Sequence, residues 1–295
     1  MKELEQVLAR GRARWRGLRA RMPLLSRGVE PVRLVLELDG DSEDVLTPAQ
    51  WKKTLVDWIT WLGPTRVCIK TTESCLDLAL EMVRFCHRLE CPTHLVTSGP
   101  VTEEEALSFV DRGLGAVTIR VAGLDESTQQ KVLGSPLEAA SNALYAFSNA
   151  RRERERPLVV LVNIPLHEAN LSSLGSIAGW AKQAGSDVVG VGLLLGKEIP
   201  VGALREVQAV ADVECPAPLM SYLELGQCQS QGLRAVLNAS GGLRAVDGGA
   251  VLGDVREQSP EALWKKNSAV LGSARSVERP FDEVELLPEE LASVR

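Results

Sequence analysis

Between residues 32 and 194, short runs of valine, isoleucine and leucine alternate with longer stretches at helical spacing, and this alternation limits the possible folds most. The runs are Val32–Leu38, Arg66–Lys70, Thr93–Thr97, Ala116–Val121, Leu158–Asn163 and Val188–Leu194. Helical stretches follow them at Thr47-Pro48-Ala49-Gln50 onward, Leu76–Leu89, Thr102–Arg112, in two pieces up to about Asn149, Leu171–Ala184 and Val201–Ala211. Threonine at the cap, proline at the first helical position and glutamine at the third form a helix start at Thr47. Strands that are each followed by a helix predict a parallel sheet with right-handed crossovers. Their near-continuous apolar content predicts burial on both faces. Periodicity leaves two closures open, a partial barrel and an open doubly wound sheet.

After Ala211 the rhythm breaks. Leu233–Asn238 and Leu243–Val246 flank Ala239-Ser240-Gly241-Gly242, which predicts a hairpin, and Ser259-Pro260-Glu261 opens a short helix. The resulting plan has four parts: a basic amphipathic helix over 1–30, an α/β body over 31–213, a small hairpin-plus-helix domain over 214–272 and an acidic tail over 273–295.

Charge is unevenly spread. The chain carries −6 overall, while its first 27 residues hold eight basic residues against Glu3 and Glu5. Leu4, Val7, Leu8, Trp15, Leu18 and Met22 nevertheless fall at helical spacing, so the arm reads as a helix resting on an apolar surface rather than a nucleic-acid tether. No stretch approaches the roughly 18 apolar residues of a membrane span. Six cysteines without a framework of spacings fit a reducing compartment, and the expected location is cytoplasmic.

Several segments together resemble the radical S-adenosylmethionine (SAM) fold with an appended SPASM or Twitch-type domain. They are Thr47-Pro48-Ala49-Gln50-Trp51, Ser98-Gly99-Pro100-Val101-Thr102, Gly113-Leu114-Gly115-Ala116-Val117, Ala122-Gly123-Leu124-Asp125-Glu126, Cys228-Gln229-Ser230-Gln231-Gly232 and Leu252-Gly253-Asp254-Val255-Arg256 with Ser259–Trp264. The resemblance runs over roughly 31–272 and implies a partial (β/α)6 TIM-like barrel. Its enzymes hold an iron–sulfur cluster with three cysteines, CxxxCxxC, after the first strand. Here that segment, Leu38–Leu46, contains no cysteine, and the motif expected after the second strand reads Thr71-Thr72-Glu73-Ser74. The expectation drawn from these departures is that the chain uses no cofactor, neither cluster nor SAM. It would act as a pseudoenzyme that binds a peptide, a protein or a catalytic paralogue. The alternative is an enzyme of another class.

None of the six cysteines forms CxxC, so no metal site is expected, and they read as buried apolar side chains. Gly192–Glu198 lacks the length of a phosphate loop, and His167-Glu168 lacks the second histidine of a zincin. Functional groups in such folds project from the C-terminal ends of the strands. That rule selects Asp39 and Asp41, Lys70, Thr72 and Glu73, Thr97 and Ser98, Arg120, and Asn163 and His167. Three readings stay open for them: an ion-paired network, a pocket for an anionic ligand, or a lysine beside a carboxylate for Schiff-base work.

Overall fold

A computed structural model of the chain describes residues 31–40, 44–193, 219–220, 233–245 and 251–267. The helices expected over 1–30 and 201–211, Asp41, Cys215, Cys228 and the tail over 273–295 lie outside the described residues.

The strand–helix alternation appears as β1 (Pro31–Glu37), β2 (Arg66–Thr71), β3 (Thr93–Thr97), β4 (Ala116–Arg120), β5 (Val159–Leu166) and β6 (Val188–Leu193). Between them lie α1 (Pro48–Leu62), α2 (Leu76–Arg88), α3 (Glu103–Asp111), α4 (Glu126–Leu133), α5 (Leu137–Arg154) and α6 (Leu174–Gln183). Local chemistry sets the helix starts. Thr47 and Gln50 exchange side-chain bonds with each other's backbone N–H at the head of α1. Thr102 and Glu105 do the same before α3, and Asp125 accepts from the Thr128 N–H at 2.8 Å to cap α4.

The chain divides into two compact units, Met1–Leu95 with Arg112–Leu114 and Gln231–Glu278, and Val96–Asp111 with Gly115–Ser230 and Arg279–Arg295. In the first, β1 pairs in parallel with β2 from Arg33↔Arg66 to Glu37↔Lys70. Its other edge pairs, also in parallel, with β8 (Leu233–Asn238), from Arg33↔Arg234 to Glu37↔Asn238. The expected hairpin is present: β9 (Gly242–Arg244) runs antiparallel to β8, and β10 (Val251–Asp254) antiparallel to β9. Residues from both ends of the chain therefore build one sheet.

Tryptophans lock this unit's helices together. The rings of Trp58 and Trp61 on α1 meet edge to face at 5.6 Å, and Trp61 lies 6.4 Å from Trp264 on α7 (Pro260–Lys266). All three rings are almost fully buried. The segment after β1 is pinned to the segment after β8: the Leu46 N–H donates to the Ala239 carbonyl at 2.7 Å. Gly40 suits this approach, because a Cβ there would stand 2.8 Å from that of Ala239. Arg256 completes the tie, donating to Asp44 at 2.5 Å, to Asp254 and to the Ser240 carbonyl.

In the second unit β4, β5, β6 and β7 (Leu219–Met220) pair in parallel order. Alternation along the strands is clear. Val117, Ile119, Val160, Val162 and Ile164 are fully buried on one face, while Thr118, Arg120, Leu161 and Asn163 occupy the other. Phe109 of α3 meets Phe147 of α5 at 6.0 Å. One boundary departs from expectation, since β5 runs past Asn163 to Leu166 with Pro165 inside it. β4 ends at Arg120, the register partner of Asn163, so from Ile164 onward β5 is paired on the β6 side. Proline is tolerated at such a one-sided position because its missing N–H deprives no neighbour.

Candidate functional site

The expected site residues fall into both units, and each unit forms its own polar group at its strand ends. In the first, Asp39 follows β1 and accepts a 2.5 Å bond from the Thr72 hydroxyl, which also lies 3.1 Å from Ser74 Oγ. Cys75 joins them, its thiol donating weakly to the Leu38 carbonyl at 3.6 Å. Burial pushes this thiol above the usual cysteine range, the Ser74 hydroxyl lowers it, and the neighbouring Asp39 carboxylate raises it further. Lys70 is held by Glu37, its register partner across the β1–β2 ladder, at 3.7 Å. It is therefore an ion-paired amine rather than an isolated nucleophile. Glu73 is exposed at the start of a single 3₁₀ turn, Glu73–Cys75.

In the second unit Thr97 is buried and accepts from the Gly99 N–H, turning the chain sharply after β3, with Ser98 half-buried between them. Arg120 and Asn163 stand side by side at the ends of β4 and within β5. Asn163 is 2% exposed, and neither its amide nitrogen nor its amide oxygen has a partner. The Arg120 Nε is likewise buried and unpartnered. On β6 the register partner of Asn163 is Gly190, which contributes no side chain there. His167 follows β5. Its N–H donates to Asn170, and its Nδ1 accepts from the Ala169 N–H.

Two residues of this second group escape sequence reading. Asn170 is fully buried, and its amide nitrogen donates to the carbonyls of both Ala122 and Pro165 at 2.8 Å. It thereby clamps the exits of β4 and β5 on either side of Arg120 and Asn163. Gln129 is also fully buried and accepts from the Ala122 N–H at 2.8 Å. An asparagine three residues after His167, in a turn, is the local signal from which Asn170 could be found. Gln129, in the middle of a polar helix, offers no such signal.

No group of three or more His, Cys, Asp or Glu side chains capable of holding a metal occurs among the described residues. Cys68, Cys86 and Cys91 are buried and reduced, and burial raises the Cys86 and Cys91 thiols, the latter to about 11. No helix among the described residues is long and apolar enough to cross a membrane.

No family model matches the chain, and no curated protein does. Solved structures match across most of its length, and radical SAM enzymes are among them. Streptococcus suis SuiB bound to S-adenosylmethionine aligns at a TM-score of 0.67 with 12% identity, covering 88% of this chain and 72% of that one. SuiB bound to its precursor peptide SuiA aligns at 0.68 with 11% identity, covering 89% and 71%. Native anSMEcpe with bound AdoMet and the Cp18Cys peptide aligns at 0.61 with 10% identity, covering 84% of each. The fold is thus α/β of the radical SAM type, with the parallel strands and covering helices of a partial TIM-like barrel.

These matches correct one expectation. The sequence predicts no cofactor, neither cluster nor SAM, yet proteins of this fold are solved with SAM bound. Missing cysteines bear on cluster ligation, whereas SAM itself is an organic ligand that needs polar groups and space.

Proposed function

We propose that this chain works by recognition. On this reading it is a radical-SAM-fold protein that takes SAM and a peptide or protein partner at the C-terminal ends of its strands, as an accessory or regulatory component. The observation that carries the reading is the Arg120–Asn163 pair, with three polar atoms buried and unpartnered. Leaving such atoms unpaired costs on the order of 1–3 kcal/mol each, which a ligand supplying acceptors and a donor offsets. Functional side chains of α/β folds gather at this end of the strands. The peptides named with SuiB and anSMEcpe support a peptide as the partner class.

The residues present fit the organic ligand and do not fit a cluster in the expected place. Asp39, Thr72 and Ser74 offer donors and acceptors of the kind that the polar end of such a ligand requires. SAM, when bound, supplies a sulfonium centre. The segment from Leu38 to Leu46 offers no thiolate, and oxygen ligands do not substitute for thiolates at such a cluster. The chemistry assigned to these residues is binding and orientation, with no bond-breaking step.

Calorimetric titration of the full chain with SAM tests this. Saturable binding of one equivalent, with SAM recovered intact after incubation with a strong reductant, is the expected result. Cleavage of SAM would replace recognition with catalysis, and an absence of heat at millimolar SAM would remove SAM from the reading.

A further inference from the structure

The recognition reading leaves open which chemical group Arg120 and Asn163 receive, and their own atoms narrow it. Arg120 makes no side-chain hydrogen bond or ion pair among the described residues, and its Nε is buried. A half-buried cation without a counter-ion selects an anion. Asn163 adds one donor side and one acceptor side, both unsatisfied. The complementary group therefore carries acceptor oxygens with negative charge and a hydrogen-bond donor within a few ångströms of them.

A fully ionised phosphate satisfies the guanidinium but brings no donor to the asparagine oxygen, and gains one only by giving up charge. A backbone amide from mid-chain satisfies the asparagine but leaves the charge unpaired. A free amino-acid end offers both functions, but its ammonium would lie near the guanidinium. Like charges about 5 Å apart cost on the order of 1–3 kcal/mol in partly solvated surroundings. The last residue of a peptide offers a carboxylate beside a neutral amide N–H.

We infer that Arg120 and Asn163 form a subsite for the C-terminal carboxylate of a peptide. The Arg120 Nε and the Asn163 amide nitrogen donate to the carboxylate, and the Asn163 oxygen accepts from the final amide N–H. Gly190, the β6 register partner of Asn163, places no side chain in competition for the pair. The Asn170 clamp, bonded to the carbonyls of Ala122 and Pro165, holds the two strand exits at fixed separation. Capture of chain-terminal carboxylates by fixed donors is an established mode of peptide recognition.

The test uses the full chain with N-acetyl-alanyl-alanine and with its C-terminal amide, followed by ¹⁵N NMR of the arginine Nε and asparagine side-chain signals and by titration. The free acid is expected to bind about tenfold or more tightly than the amide, the usual scale for a charge-assisted pair. It should shift the Arg120 and Asn163 signals, and Arg120→Gln or Asn163→Leu should bring acid and amide to equal affinity. If a substituted chain fails to fold, the acid–amide difference on the unaltered chain still decides. Equal binding of acid and amide overturns the subsite and leaves the recognition reading standing. Displacement of the acid by SAM at these two side chains assigns the pair to SAM and also overturns it. Failure of both peptides to bind, with SAM binding intact, removes the peptide from both conclusions.

Discussion

Asn163 shows how far a single residue can be read. Its place at the end of an apolar run singles it out in the sequence, because a polar residue closing a buried strand has few structural uses. Its complete burial without partners was not legible, since that depends on Arg120 and Gly190 arriving beside it from two other strands. If the asparagine is kept for a ligand, Asn163→Leu should raise the stability of the free protein by about 1–2 kcal/mol in urea denaturation, because it removes two unpaired atoms at similar volume. A fall in stability would mean that the amide has a structural partner. Asn170 has the opposite role, and Asn170→Ala should cost about 2–4 kcal/mol by stranding the Ala122 and Pro165 carbonyls. Cys75 carries a pH prediction. With its thiol raised by burial and by Asp39, thiolate forms only above the usual cysteine range, so alkylation by iodoacetamide should be slow at neutral pH. Asp39→Asn should move the midpoint of the rate–pH profile downward by removing the nearby negative charge.

Elements were more legible than their partners. The capping box at Thr47 and Gln50 is a local pattern, and it appears in the structure as the sequence predicts. Thr47→Ala should lower stability by about 1 kcal/mol, measured by denaturation, with Gln50 left in place. β5 runs past the apolar run Leu158–Asn163 to Leu166, and Pro165 is acceptable inside it because β4 is short. The short helix after Ser259 was expected, but its role as the cover for Trp61 was not. Trp264→Ala should cost about 3–5 kcal/mol, since it opens a large cavity against α1.

At the scale of the whole molecule, the strand–helix alternation announced the α/β class, while the parallel pairing of β8 with β1 left no local trace. Parallel pairing requires no turn between partners, so nothing near either strand in sequence marks the other. The pairing predicts that a chain ending at residue 230 exposes one whole edge of β1. Such a truncated chain should elute as aggregate in size-exclusion chromatography, because unpaired strand edges template association. A monomeric product would show that β8 is dispensable.

The same pairing imposes an order on synthesis. A ribosome adds about 5–20 residues per second, so roughly 200 residues separate the making of β1 from that of its flanking strand, an interval of about 10–40 seconds. Throughout that time the nascent chain presents the backbone of Pro31–Glu37 with one neighbour missing. Chaperone occupancy on translating ribosomes should therefore persist until codons beyond 238 have been read, and then fall as β8 closes the sheet.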